Sequence, residues 1–229
     1  IFKFGQQPID DVYKELSNYN FESSNKIILD EKNIELDKHE ILISFKNVFF
    51  KYNNSNKEVL KDINFEIKKK EFLGIIGKTG SGKSTFINLI LKLLAPSKGK
   101  IIVNYSKAAF VPQTPYLIDD TIKNNIALGI ENKNIDLDNI KKCLQDVQLE
   151  KFIDTQINGL NSIVGEKGTR ISGGELQRLA LARALYIKPD IIILDEPTSS
   201  LDEITEKKIL DILKELSKKL TIILVTHNY

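Results

Sequence analysis

The run Glu71-Phe72-Leu73-Gly74-Ile75-Ile76-Gly77-Lys78-Thr79-Gly80-Ser81-Gly82-Lys83-Ser84 decides the fold. It reads as a buried strand entering a glycine-rich loop, followed by a helix predicted from Lys83 to about Leu94. Gly77 to Ser84 satisfies the pattern G-x-x-x-x-G-K-[ST]. Glycines let successive backbone N–H groups converge on phosphate oxygens, and the helix N-terminus adds the positive end of its dipole. Lys83 is placed to reach the β- and γ-phosphates, and the Ser84 hydroxyl to ligate Mg²⁺. The candidate nucleotide-binding residues are therefore Gly77, Lys78, Thr79, Gly80, Ser81, Gly82, Lys83, Ser84 and Thr85. The plainer reading is a flexible turn with a chance lysine; the strand–loop–helix context argues against it.

Outward from this loop the elements alternate. Ile41 to Phe50 reads as a strand, Asn53 to Asn56 as a turn, and Ile63 to Lys68 as a half-buried strand with strict alternation. Ile191-Ile192-Ile193-Leu194 and Ile222-Ile223-Leu224-Val225 read as fully buried parallel strands, with a helix from Glu203 to about Lys218 between them. This order indicates an α/β fold with a parallel sheet, and the stretch from Thr121 to Tyr186 reads as an inserted helical subdomain. Parallel strands deliver ligand-contacting residues at their C-terminal ends. Asp195 and Glu196 stand at such an end, where Asp195 would hold Mg²⁺ through water and Glu196 would polarise the attacking water.

Bulk properties exclude several classes. The chain has 229 residues, with 33 Lys plus Arg against 31 Asp plus Glu, and a net charge of +2. That balance argues against a nucleic-acid binder. Lys68-Lys69-Lys70 reads as a solvated turn. The single cysteine, Cys143, allows no intrachain disulfide. The longest apolar stretches, Phe86 to Ala95 and Ile191 to Leu194, fall short of the roughly 20 residues of a spanning helix. There is no methionine, and Ile1-Phe2-Lys3-Phe4 is no signal peptide, so the chain is expected to be a fragment of something larger.

Ile171-Ser172-Gly173-Gly174-Glu175-Leu176-Gln177-Arg178 opens a helical run through Leu185. A Ser-Gly-Gly turn at a helix start is an anion site, although taken alone it reads equally as a helix cap. With the other motifs in order, it resembles the signature of the ATP-binding cassette (ABC) superfamily. The resemblance covers Ile41 to the end. It implies a P-loop NTPase core of the RecA-like type with an antiparallel β subdomain and an α-helical subdomain at about 120–187. It also implies that Tyr52 stacks on adenine, Gln113 senses Mg²⁺ and the transmembrane partner, and Ser199 to Asp202 forms the loop that crosses between two cassettes. His227 matches the switch histidine at the γ-phosphate. ATP and Mg²⁺ are the expected substrate and cofactor. Each ATP would lie between one cassette's phosphate loop and Ser172, Gly173, Gly174 and Glu175 of a second, head-to-tail cassette. Glu175 stands where many relatives have glutamine.

Two further segments resemble exporters: Asp120 to Gly129, after the glutamine, and Ile163-Val164-Gly165-Glu166-Lys167-Gly168, similar to the loop that contacts a partner's intracellular loops. In that branch a transmembrane domain of the same polypeptide precedes the cassette, at the cytoplasmic face of the cell's inner (plasma) membrane. Residues 1–40 would then be a helix around Ile9, Val12, Tyr13 and Leu16, followed by a linker, with wording that loosely resembles flippases for lipid-linked saccharides. An importer subunit and a soluble cassette ATPase remain the alternatives. The isolated domain is expected to be soluble. The stretch Ile101 to Phe110 is shorter than in the family, which leads to the expectation of a missing loop at about Asn104. The end at Tyr229 is early compared with the family, which adds strands and a helix after the histidine.

Overall fold

The computed structural model describes residues 40–53, 55, 57–165, 171–199 and 201–226. The predicted N-terminal helix and linker, His227, Ser200 and Glu166 to Gly168 lie outside the described residues.

β1 (Ile41–Phe50), β2 (Leu60–Lys68) and β4 (Lys98–Val103) form an antiparallel sheet in the order β2-β1-β4. Alternation along β2 turns Ile63, Phe65 and Ile67 inward, while Lys61, Asn64, Glu66 and Lys68 face water. In β1 the alternation breaks at Asn47, which has φ 48° and sits at a register shift against both neighbours. Asparagine tolerates this left-handed conformation, and the bulge adds twist to the strand.

The second sheet is parallel, in the order β3 (Phe72–Ile76), β9 (Thr221–Thr226), β8 (Ile191–Asp195) and β5 (Ala108–Val111). Along β8, Ile191 and Ile193 join one core with α1 (Lys83–Ile90), while Ile192 and Leu194 join another with α5 (Gly173–Tyr186) and α6 (Glu203–Ser217). Helices on both faces explain why β8 is continuously apolar and buried. On one face Phe45 of β1 stacks on Phe86 of α1, with ring centroids 4.9 Å apart.

β3 departs from the buried strand its composition suggests. Its exposure alternates, with Phe72 and Ile76 exposed, because it is the edge of the described sheet and pairs with β9 alone. α1 is also shorter than predicted: Leu91 caps it, and Lys92 turns left-handed at φ 60°.

Between the sheet strands lie α2 (Ile122–Ile126), α3 (Leu137–Asp146) and α4 (Glu150–Asp154). A two-residue ladder that periodicity did not announce, β6 (Asp120–Thr121) with β7 (Ile163–Val164), pins this insertion. At the expected gap, Asn104 to Lys107 joins β4 to β5 directly. Asn104 donates to the carbonyls of Ile41 and Leu42 at 3.0 and 2.8 Å, and Asp190 accepts from the backbone N–H groups of Ser106 and Lys107. Among the described residues no helix is long and apolar enough to cross a membrane.

Candidate functional site: a phosphate loop, paired acids and a signature turn

Strand register builds the site. Ile76 pairs with Thr226, Val225 with Asp195, and Leu194 with Val111, so four C-terminal strand ends align along one edge. The phosphate loop leaves β3 there, Glu196 follows β8, and Gln113 follows β5.

The loop is held open by its glycines and lysine. Gly82 caps α1 at φ 97°, and a Cβ there would lie 3.1 Å from Leu60 and 3.2 Å from Val59. A side chain would thus meet both β2 and an unfavourable backbone. The Lys83 ammonium reaches back across the loop and donates to the carbonyls of Gly77 at 2.5 Å and Lys78 at 3.3 Å. Ser84 is exposed and Thr85 buried. The Thr85 hydroxyl lies 3.0 Å from that of Tyr52, whose ring meets Phe50 edge-on and is 44 % exposed. Tyr52 is therefore anchored to the phosphate-loop helix with its ring accessible.

Glu196 has φ 48°, a left-handed conformation that is strained for a non-glycine residue. Its N–H donates to the Val225 carbonyl at 2.9 Å, which fixes the turn. The Gln113 amide donates to Glu196 Oε2 at 3.0 Å and to Ser199 Oγ at 3.1 Å. A carboxylate at the strand end thus lies in direct contact with the amide predicted to share its chemistry.

Ser172 caps α5 in a reciprocal arrangement. Its hydroxyl accepts from the Glu175 N–H at 3.3 Å, and Glu175 Oε2 accepts from the Ser172 N–H at 2.9 Å and hydroxyl at 2.7 Å. Glutamate at this position therefore serves the cap directly. Asp202 caps α6, accepting from the Thr205 N–H at 3.0 Å and hydroxyl at 2.8 Å. The N–H donation by Thr205 holds the Asp202 carboxyl below the usual range. Both caps open onto one cleft of about 330 Å³, also lined by Gly173, Gly174, Arg178 and Lys208. Arg178 and Lys208 share this cleft with the Asp202 carboxylate, and its two helix N-termini are capped by Ser172 with Glu175 and by Asp202.

The predicted residues thus fall into two groups. Tyr52, the loop 77–85, Gln113, Asp195 and Glu196 gather around the sheet edge, while Ser172 to Glu175 and Asp202 gather at the cleft. Sequence reasoning missed Gln177, Arg183 and Asn125, which connect the elements. Gln177 Nε2 donates to the Gln113 carbonyl at 2.8 Å. Arg183 donates to the carbonyls of Tyr116 at 2.8 Å and Asn125 at 2.7 Å. The available signal was a polar residue among apolar ones on a helix: Gln177 and Arg183 on α5, Asn125 on α2.

The sequence pattern described as ABC transporter matches residues 60–199. The chain is 38% identical over 200 residues to an export ATP-binding/permease protein of Rickettsia typhi, covering 82% of this chain and 34% of that protein. It is 36% identical over 197 residues to the ATP-dependent lipid A-core flippase of Pasteurella multocida, covering 81% of this chain and 34% of that one. The chain spans about a third of the length of these curated relatives. Its fold resembles a bacterial Atm1-family ABC exporter with ATP bound, at a TM-score of 0.74 and 28% identity, over 97% of this chain and 40% of that one.

Proposed function

Starting from the fact that the chain belongs to the ABC transporter family, we propose that it binds and hydrolyses MgATP as the motor cassette of a membrane exporter or lipid flippase. The observation that carries the reading is the alignment of the phosphate loop, Gln113, Asp195 and Glu196 along one edge of the parallel sheet. That edge supplies backbone N–H groups and Lys83 for the phosphates, and a carboxylate, Glu196, to accept a proton from water.

The donor chemistry fits Mg²⁺: the Ser84 hydroxyl, the Gln113 amide oxygen and the Asp195 carboxylate are hard oxygen ligands on that edge. A bound Mg²⁺ would neutralise charge on the phosphates. Tyr52 offers its exposed ring to adenine. Thr85 joins the loop's lining through its contact with Tyr52. His227, beyond β9, would contact the γ-phosphate.

The signature turn, Ser172 to Glu175, and the Asp202 loop would serve a second cassette bound head to tail, closing over ATP and reopening after hydrolysis. A transmembrane domain in the same polypeptide, preceding a cassette of residues 41–229 through a linker in 1–40, would receive the motion at the cytoplasmic face of the inner membrane. The helical insertion at about 120–187 would transmit it. Similarity to an export ATP-binding/permease protein and to a lipid A-core flippase supports export or lipid flipping over import.

Phosphate release by the full-length protein in lipid tests the reading. Glu196→Gln should retain ATP binding, lose about 10²-fold or more in turnover, and accumulate as an ATP-bound dimer. Unchanged turnover overturns the role of Glu196.

A further inference from the structure

The segment after β5 is fastened to α5 at two points. Gln177 Nε2 donates to the main-chain carbonyl of Gln113 at 2.8 Å, and Arg183 donates to that of Tyr116 at 2.8 Å. Arg183 also reaches Asn125 Oδ1 at 3.0 Å, and Asn125, fully buried, donates in turn to the carbonyls of Ile118 and Thr121. The side chain of Gln113 points the other way, to Glu196 and Ser199. One residue therefore holds the helix through its carbonyl and the catalytic carboxylate through its amide.

Ser172 precedes Gln177 by five residues, roughly 7.5 Å along the helix axis. Over that length a helix moves as a rigid body, so displacement of the cap carries Gln177 with it. Gln177 is 6% exposed, and its buried Oε1 has no hydrogen-bond partner among the described residues. Flipping the amide would set oxygen against the Gln113 carbonyl, so the orientation is determined. A half-satisfied buried amide is a poor choice for packing alone, where leucine of similar size would leave no polar atom dry.

We propose that Gln177 is a positioning residue for ATP hydrolysis, coupling the place of the signature turn to the orientation of the Gln113 amide at Glu196. The inference rests on the ATPase reading of this site and deepens it. When Ser172 and Gly173 engage the phosphate held by a facing cassette, α5 moves. Gln177 then draws the Gln113 carbonyl with it, and the amide turns away from Glu196 Oε2, which can now accept from water. Hydrolysis is thereby linked to engagement of the signature turn beside it.

The test compares wild type, Gln177→Leu and Gln177→Met in the full-length protein, reading kcat and KM by phosphate release, Kd for a fluorescent ATP analogue, and Tm. Gln177→Leu should keep KM, Kd and Tm close to wild type while kcat falls about tenfold, since a small misplacement of a reacting group suffices. Gln177→Met, an unbranched side chain of similar length that cannot donate, should fall equally. Should Gln177→Leu fail to fold, Gln177→Met carries the test alone. An active wild type with an equally active Gln177→Leu overturns this inference and leaves the ATPase reading standing. Parallel losses in kcat, Kd and Tm also overturn it. A wild type without ATPase activity overturns the ATPase reading, and the inference with it.

Discussion

The Gln113 side-chain amide donates to Glu196 Oε2 at 3.0 Å, joining the second residue after β5 to the residue after β8 across 83 positions of sequence. A donor facing a carboxylate is favourable, whereas an acceptor in its place would set two negative groups together. Gln113→Leu loses the oxygen proposed to hold Mg²⁺, and Gln113→Glu sets a second carboxylate against Glu196, so both should lower turnover, with Gln113→Glu falling further at low salt. In about 0.5 M salt, screening between these exposed groups should narrow the difference between the two variants. Phosphate release measured across a salt series checks it, and a gap that does not change with salt counts against direct repulsion.

That contact marks where sequence reading runs out. The phosphate loop was legible because its chemistry is local: the glycines, Lys83 and Ser84 belong to one turn whose backbone their own types dictate. β8 was legible because both faces are covered, leaving an unbroken apolar run. Phe72 to Ile76 has a similar composition but is the described sheet's edge, and composition cannot separate an edge strand from a central one. The ladder of Asp120 and Thr121 with Val164 and Ile163 is too short to have a period. Gln177, Arg183 and Asn125 act on carbonyls distant in the chain, so their partners emerge only from the fold. Asp202 was read for its place between cassettes, and the structure adds that it caps its own helix.

The Asp202 cap predicts a pH dependence of stability. Hydrogen bonds from the Thr205 backbone and hydroxyl lower its pKa in the folded chain. A lowered folded pKa means that the stabilisation is present above the unfolded value, about 3.9, and is lost as pH falls through the folded value. Asp202→Ala should therefore lower Tm at pH 7, with the deficit shrinking below about pH 4. Asp202→Asn, which keeps a capping acceptor, should lose less. Thermal melts between pH 3 and pH 7 are sufficient, and a deficit independent of pH would show that the charge is immaterial.

Cys143 offers a probe of opening in the helical insertion. It is buried in α3, and burial, with Asp146 adding to it, pushes its thiol pKa up to about 11. The thiolate is the reactive form, so a thiol reagent at pH 8 should label it slowly in the folded chain and rapidly in denaturant. Because this is the chain's single cysteine, the labelling rate reports that region alone. Fast labelling under native conditions would mean that α3 separates readily from α5.

Gly174 is the site where helix propensity and packing give opposite answers. Alanine in a helix is favoured over glycine by about 1 kcal/mol. A Cβ on Gly174, however, would lie 2.3 Å from the Thr205 methyl. Rotating that methyl away would carry off the Thr205 hydroxyl, which donates to Asp202 at 2.8 Å. Relief of the clash thus removes the hydroxyl half of the α6 cap, or else α5 must shift. Overpacking of this kind typically costs about 1–3 kcal/mol, so it offsets or exceeds the propensity gain. Gly174→Ala should lower Tm by up to about 4–8 °C, at about 2–4 °C per kcal/mol for a domain of this size. It should also impair turnover by displacing the signature turn. Adding Thr205→Ser removes the methyl and keeps the hydroxyl, so the double variant should recover most of the lost Tm. If Thr205→Ser restores nothing, the glycine is required by whatever the turn binds rather than by its packing on α6.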